Sequence, residues 1–366
     1  MKPPALHRGR GSRLNPGTRY ADWQRAAFDD GWGTSDLAAE PSDDAVPGPP
    51  TTLLIDHARS VIVRNSSPDV PFEQSVNPYK GCEHGCEHGC AYCFARPGHA
   101  YLGLSPGLDF ETKIAWKPDA AVVLRRELAA PGYRCRPIAL GINTDGWQPV
   151  ERRLGLTRQL LEILAETRHP VSIVTKSALI ERDVDLLADM ARDGLAQVML
   201  SITTLDPALA RKLEPRAASP ARRLAAMTRL HAAGVPVGVL FAPLIPAIND
   251  HEMEAVLEAA RGAGAESAGY VLLRLPHELK TLFDDWLHSH FPDRAGHVQS
   301  LLRQLRGGAL NDSRFGHRMR GEGVFADLYS RRLARLCEKL GLNRTRRALV
   351  TTRFRPPRLD GQLDLF

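Results

Sequence analysis

From Phe72 onward the chain alternates short apolar, strand-like runs with longer amphipathic helical segments, and it does so six times. Candidate strands fall at 73–78, 137–143, 171–176, 197–203, 235–242 and 268–274, with helical segments near 118–130, 150–167, 180–192, 219–233 and 250–262. Segment 150–167 sets Leu156, Leu160, Ile163 and Leu164 on one helical stripe. Gly194 and Gly234 stand where C-terminal caps are expected, and Asn249 or Asp250 is placed to cap the next helix at its N-terminus. Strands that alternate with crossover helices demand a parallel sheet covered by those helices. In such α/β folds ligands gather at the C-terminal ends of the strands, so the polar residues there are the first place to look for chemistry.

The flanks read differently. Residues 1–50 are rich in Pro, Gly, Ser, Asp and Arg with no sustained period, the composition of a disordered segment. Leu53 to Arg64 holds a short apolar run suited to an edge strand leading into the domain. Beyond Leu275-Pro276-His277 the strand pattern stops and 278–345 reads as helical. Phe325, Leu328, Tyr329, Leu333, Leu336 and Leu340 follow helical spacing, Arg331, Arg332, Arg335 and Lys339 lie off that stripe, and Cys337 reads as a small core filler. The expected organisation is thus 1–50 disordered, 51–276 an α/β unit, 277–345 a helical C-terminal extension, and 346–366 a basic flexible tail. No window approaches the run of about 18 uncharged apolar residues that a membrane span needs. No apolar signal-peptide core follows the Arg-rich start, and the expectation is a cytoplasmic chain with no membrane partner.

Four of the six cysteines fall between Cys82 and Cys93. Cys86, Cys90 and Cys93 form a C-x3-C-x2-C set, three thiolates on one short loop, each able to hold one iron of a [4Fe–4S] cluster while the fourth iron keeps an open position. A cluster built only for electron transfer normally has four Cys ligands. Zinc is the main alternative, because His84 and His88 are interleaved with the thiols, although zinc sites usually pair C-x2-C units across a longer span. A disulfide knot would need an oxidising compartment that nothing else in the chain marks. The run Glu83-His84-Gly85-Cys86 is repeated at once as Glu87-His88-Gly89-Cys90. This duplication leaves Cys82 unassigned, since only Cys86, Cys90 and Cys93 keep the spacing.

That spacing, with Tyr92 directly before the last cysteine, resembles the signature of the radical S-adenosylmethionine (radical SAM) superfamily. The resemblance implies a partial (β/α)6 TIM-type barrel with disordered termini, whose cluster loop follows the first strand. It implies a [4Fe–4S] cluster that chelates S-adenosyl-L-methionine (SAM) at its open iron, reductive cleavage to a 5′-deoxyadenosyl radical, and an electron donor such as flavodoxin or ferredoxin. The combination T-D-x-x-Q-P-x-E over Thr144, Asp145, Gln148, Pro149 and Glu151, with N-P-Y-x-G-C-x-H-G-C from Asn77, is similar to the spore photoproduct lyase-like branch, often described as DNA-repair-photolyase-like, over roughly residues 55–345. That branch implies DNA repair or modification, with RNA or a peptide as other targets.

On that resemblance Asn143, Thr144 and Asp145 are placed to meet the SAM amino group, against the plainer reading of a capped turn. Lys176 at the end of the third strand could pair with the SAM carboxylate or be a solvated rim residue. Ser201 is placed for the ribose hydroxyls, Arg216 could clamp a carboxylate or phosphate bidentately, and 241–249 would back the adenine or simply be core. One departure from the branch is at Ile142, which stands where spore photoproduct lyase carries a hydrogen-donating cysteine. Cys135 lies seven residues earlier, so thymine-dimer splitting does not follow.

The chain carries a net charge of +6, and from Arg303 to Arg358 there are fourteen arginines and one lysine against four acids. Clustered cations of this kind suit phosphates and make DNA an expected partner, with a solvated face as the alternative. The chain ends in Gln362, Leu363, Asp364, Leu365 and Phe366, a match to the peptide by which bacterial repair proteins dock on the sliding clamp, with Leu365 and Phe366 suited to an apolar pocket. Against the enzyme stands a non-catalytic, metal-stabilised adaptor that sits on DNA or the clamp.

Overall fold

A computed structural model describes residues 14–20, 50–84, 90–345 and 347–358. Its strands are β1 (Thr52–Ile55), β2 (Ile62–Arg64), β3 (Gln74–Val76), β4 (Tyr79–Lys80), β5 (Lys113–Trp116), β6 (Ile138–Leu140), β7 (Val171–Thr175), β8 (Ala196–Ser201), β9 (Val237–Leu244) and β10 (Ser267–Leu272). The main sheet runs in the order β10-β9-β8-β7-β6-β3-β2. Every neighbouring pair from β3 to β10 is parallel, and only β2 is antiparallel. The sheet stays open, with β2 and β10 at its edges: the parallel sheet that the alternating pattern demands, in the partial barrel that the resemblance implies. Ile173, Val198, Leu200, Val239 and Phe241 from the strands meet Leu160, Leu164, Leu187, Leu230 and Leu257 from the helices in one buried core. A small second sheet, β1-β5-β4, carries the chain into the cysteine loop.

Several expectations are corrected. Segment 150–167 is two helices, Glu151–Leu154 and Leu156–Glu166, because Gly155 breaks it in the left-handed region at φ 63°. The break lets the Glu151 carboxylate fold back and accept the Thr157 N–H at 3.1 Å. Asn249 does not cap a helix with its side chain. Its amide instead donates to the Thr203 and Pro243 carbonyls at 2.7 and 2.9 Å and accepts the Ile245 N–H at 2.7 Å, tying the ends of β8 and β9 together. Gly194 and Gly234 do end helices, at φ 68° and 82°. In the last helix, Val324–Leu340, the buried face is Ala326, Tyr329, Leu336 and Cys337, while Leu328 is 44% exposed. Small Ala326 is the residue that turns inward, so the stripe is rotated from the expected one.

Residues 14–20 are docked rather than disordered. Arg19 pairs with Glu278 at 2.9 Å, Ser105 Oγ donates to the Pro16 carbonyl at 2.6 Å, and a Cβ on Gly107 would lie 2.1 Å from the Leu14 carbonyl oxygen. The rest of the expected disordered segment, and the expected clamp peptide Gln362–Phe366, lie outside the described residues; neither the fold nor the comparisons support clamp docking. Among the described residues no helix is long and apolar enough to cross a membrane.

Much of the basic C-terminal charge is used internally. Arg318 pairs with Asp69, Arg332 with Glu254, Lys339 with Glu258, Arg347 with Glu266 and Arg353 with Asp193, and Arg306 is buried, donating to the Leu273 and His317 carbonyls. Those cations fasten the extension to the barrel.

Two buried histidines make the fold acid-sensitive. His99 Nε2 donates to the Lys113 carbonyl at 2.9 Å, and His169 lies between the Tyr133 hydroxyl and the Pro170 carbonyl. Burial pushes both rings down to about 4. A depressed histidine is neutral in the fold and binds its proton in the unfolded chain, so stability falls as pH drops below the ordinary value of about 6.5 and keeps falling toward 4. Between pH 7 and 4.5 each ring should cost about 2 kcal/mol. The urea midpoint followed across that range checks this, and a His169→Gln variant with an equally steep acid loss would contradict the assignment.

Candidate active site

The cysteine loop leaves β4 through Gly81, held at φ 88°, where a Cβ would stand 2.9 Å from His99, Ile114 and the Phe110 carbonyl. The Cys82 N–H donates to the Phe110 carbonyl and the Glu83 N–H to the Gln148 side-chain oxygen, both at 2.9 Å. Gln148 in turn donates to the Gly81 carbonyl at 3.2 Å, and the Glu83 carboxylate accepts Thr51 Oγ1 and the Val150 N–H, each at 2.6 Å. Glu151 is fully buried and takes Tyr79 Oη, the Thr157 N–H and Arg182. The Q-P-x-E run therefore fixes the loop's entrance.

The loop's exit is fixed as firmly. The Cys90 N–H donates to the Leu213 carbonyl at 2.6 Å and the Cys93 N–H to the Cys90 carbonyl at 2.9 Å, with Cys90 itself at φ 49°. Arg96, without any solvent exposure, donates from Nε to the Cys90 carbonyl at 2.7 Å, from Nη1 to the Pro106 and Gly107 carbonyls at 3.0 and 2.8 Å, and from Nη2 to Glu111. Around the turn close Leu213, Ile245, Ile248, Leu273 and Leu275 from the strand ends, and Leu279, Phe283 and Trp286 from the helical extension. The extension is thus one wall of the site. Cys82, Cys90 and Cys93 are free thiols. Soft sulfur donors on a tight turn in a dry, apolar enclosure fit an iron–sulfur cluster. Cys86 lies outside the described residues.

Beside the turn sits a buried polar network. Glu214 accepts from Tyr92 Oη, from Lys176 Nζ at 2.7 Å, from Thr203 Oγ1 at 2.6 Å and from Arg223. Lys176 Nζ also donates to Tyr92 Oη at 2.9 Å and lies 4.9 Å above its ring. Burial alone would push the Glu214 carboxyl up, but Arg223 and Lys176 hold it well below the usual carboxylate range. Burial would likewise strip Lys176 of its proton, and Glu214 holds the proton on. Both partners are charged.

Tyr92 and Lys176 are therefore together, and Asp145 joins them by accepting the Lys176 N–H at 2.8 Å, as well as Thr175 Oγ1 and the Trp147 N–H. Thr144 Oγ1 donates to the Tyr79 carbonyl at 2.9 Å, and Ser201 Oγ to the Ala242 carbonyl at 2.9 Å. Exposed Asn143 is held by its backbone N–H on Asn77, 3.1 Å away. Arg216 lies apart, its side chain exposed and its N–H on the His84 carbonyl at 3.3 Å. Cys135 precedes β6, at the end of that strand opposite the site. Sequence reading assigned no role to Arg96, Glu111, Glu214 and Arg223, which are far apart in sequence and carry no ligand spacing of their own; His84 it weighed only as a zinc ligand.

A family model for the radical SAM superfamily matches residues 83–260. An uncharacterized protein of Mycobacterium tuberculosis, Rv2578c, is 37% identical over 237 residues, covering 64% of this chain and 68% of the relative. A second uncharacterized protein, MJ0683 of Methanocaldococcus jannaschii, is 31% identical over 109 residues, covering 30% of this chain and 40% of that one. Among solved structures, spore photoproduct lyase complexed with dinucleoside spore photoproduct superposes with a TM-score of 0.56 at 15% identity, covering 79% of both chains. The chain belongs to the radical SAM superfamily. It is a radical SAM enzyme, and its cofactors are a [4Fe–4S] cluster and SAM.

Proposed function

We propose that Cys86, Cys90 and Cys93 hold the cluster and that the enzyme modifies or repairs DNA by abstracting hydrogen from a base. The observation that carries the radical reading is the pair of free thiols on one turn, walled by apolar side chains and positioned by Arg96. Bound there, the cluster and SAM supply a 5′-deoxyadenosyl radical. The chain's own work is to exclude water with Leu213, Ile245, Leu273 and Phe283, and to hold the Tyr92–Lys176–Glu214 network rigid beside the turn. The Lys176 ammonium, held charged by Glu214, is the cation placed to meet the SAM carboxylate. Thr144, Asp145, Asn143 and Ser201 lie at the strand ends, where contacts to SAM belong in a barrel of this kind. DNA is favoured by the dinucleoside bound to the solved neighbour and by the net charge of +6. Residues 51–276 with the wall from 277–345 form one catalytic unit.

One observation favours a second ligand set. Cys82 is a free thiol at the entrance of the same loop, its N–H fixed on the Phe110 carbonyl at 2.9 Å. Cys82, Cys90 and Cys93 is the alternative triad.

Air-free protein given SAM, a reductant and DNA should form 5′-deoxyadenosine faster than without DNA and carry deuterium from labelled DNA into it. If no 5′-deoxyadenosine forms with a full cluster present, the radical reading fails; formation indifferent to DNA, with no label transfer, removes DNA as the target.

A further inference from the structure

Beside the cysteine loop, between the turn Ala178–Asp183 and the helix Pro220–Ala232, lies an open cavity of about 710 Å³ lined by Arg152, Arg182, Arg216, Arg222 and Arg229, with Glu181 as the sole acid among the described residues that line it. Part of its wall continues from the site already described, while Arg222 and Arg229 stand on the helix Pro220–Ala232. Trp147 follows Asp145 by two residues, Ser177 follows Lys176, Arg216 follows Glu214, and His84 belongs to the cysteine loop. The proposed cofactor contacts Asp145, Lys176 and Ser201 do not line it. The cavity is a neighbour of that site.

Its arginines are only partly neutralised. Arg182 is engaged by Glu151 and Asp183. Glu181 is shared between Arg222 at 3.2 Å and Arg229 at 3.5 Å, so one carboxylate serves two guanidiniums. Arg216 stands 3.9 Å from Glu83, and the exposed Arg152 side chain has no partner among the described residues. His84 lines the same space and is 3% exposed. Its Nε2 is 3.2 Å from Asp145 but off the line a hydrogen bond needs, and its Nδ1 has no partner among the described residues. A buried polar ring left unsatisfied at the wall of a cationic cavity wants a ligand that carries oxygens.

We infer that this cavity binds the phosphodiester backbone of the nucleic-acid strand whose base reaches the thiol turn, an inference that rests on the nucleic-acid reading above. Guanidinium forks match phosphate oxygens bidentately. Four segments, the short helix Glu151–Leu154, the turn Ala178–Asp183, the loop at Arg216 and the helix Pro220–Ala232, spread the cations across the cavity, as a chain of phosphates requires and a single carboxylate does not. The C-terminal arginines are less available for this work, since many are tied to barrel acids. Placing phosphates here sets the strand's register, and the adjoining site then reads or modifies the base.

Fluorescence anisotropy of a labelled single-stranded oligodeoxynucleotide with the cluster-loaded enzyme tests the inference. Arg152→Ala and Arg229→Ala should each weaken binding about fivefold at low salt, as lost charge-assisted contacts do. Each should also flatten the salt slope by about 0.7. Glu181→Gln should do the reverse, tightening binding about threefold by removing the one acid and releasing two arginines. That gain cannot come from misfolding. If the oligonucleotide binds but all three variants match the wild type, the cavity is not the site, while the nucleic-acid reading stands. If nothing binds even at low salt, both fall. If polyglutamate binds as tightly with the same variant pattern, the cavity is a general anion site and the phosphodiester assignment is overturned.

Discussion

Alanine at Cys90 or Cys93 is expected to abolish the cluster, taking iron and sulfide from about four each per chain to near zero, with the visible charge-transfer absorption and all 5′-deoxyadenosine formation lost together. Cys90 and Cys93 belong to both candidate triads, and two thiols cannot hold three irons of a cubane. The more discriminating pair is Cys86→Ala and Cys82→Ala. If the C-x3-C-x2-C set holds the cluster, Cys86→Ala is empty and Cys82→Ala keeps its full iron. The opposite outcome would assign the cluster to Cys82, which the fold anchors through the Phe110 carbonyl and the turn at Gly81. The duplicated Glu-His-Gly-Cys run would then be an insertion looped out between the first and second ligands. Full iron in Cys90→Ala or Cys93→Ala would sink both triads.

The parallel barrel was legible because strand and helix periods alternate over the whole of 72–274, a signal repeated six times and hard to produce by any other fold. The cysteine loop was legible because ligand spacing is local. What escaped is what depends on side chains meeting from distant loops. Glu151 was legible only as the last residue of the T-D-x-x-Q-P-x-E motif, with no role attached; it is fully buried and holds Tyr79, Thr157 and Arg182. Lys176 was legible as a cation at a strand end, but its partner Glu214 lies 38 residues away, on the turn after the helix Pro207–Leu213. The arginine-rich C-terminus carried a correct count and a misleading implication, because composition does not tell a free guanidinium from one already facing Asp69, Glu254 or Asp193. The cationic cavity shows the converse. Its five arginines are scattered from Arg152 to Arg229 and form no run in the sequence; only the packing of the helix Pro220–Ala232 beside the turn Ala178–Asp183 and the neighbouring loops brings them together.

Arg96→Met should be the most damaging substitution at a residue that is not itself a proposed ligand. The guanidinium and Glu111 are both without solvent exposure, so removing the cation takes the opposite charge away from a buried carboxylate and the donor away from three carbonyls, those of Cys90, Pro106 and Gly107. Breaking such a pair from one side costs about 3–5 kcal/mol, a large share of the roughly 5–15 kcal/mol that holds a domain together. Glu111→Leu alone should be comparably harmful, since it strands the cation. The double variant Arg96→Met/Glu111→Leu, which removes both charges and fills the space with apolar atoms, should recover about half of the loss in a urea titration. It should not recover cluster retention to the same degree. Arg96 Nε holds the carbonyl of Cys90, a residue at φ 49° between two required thiol positions, and a thioether cannot replace that donor. Stability and cluster half-life under air-free chelation should therefore separate in the double variant. If instead both return together, Arg96 serves the fold alone and the turn at Cys90 holds its shape without it.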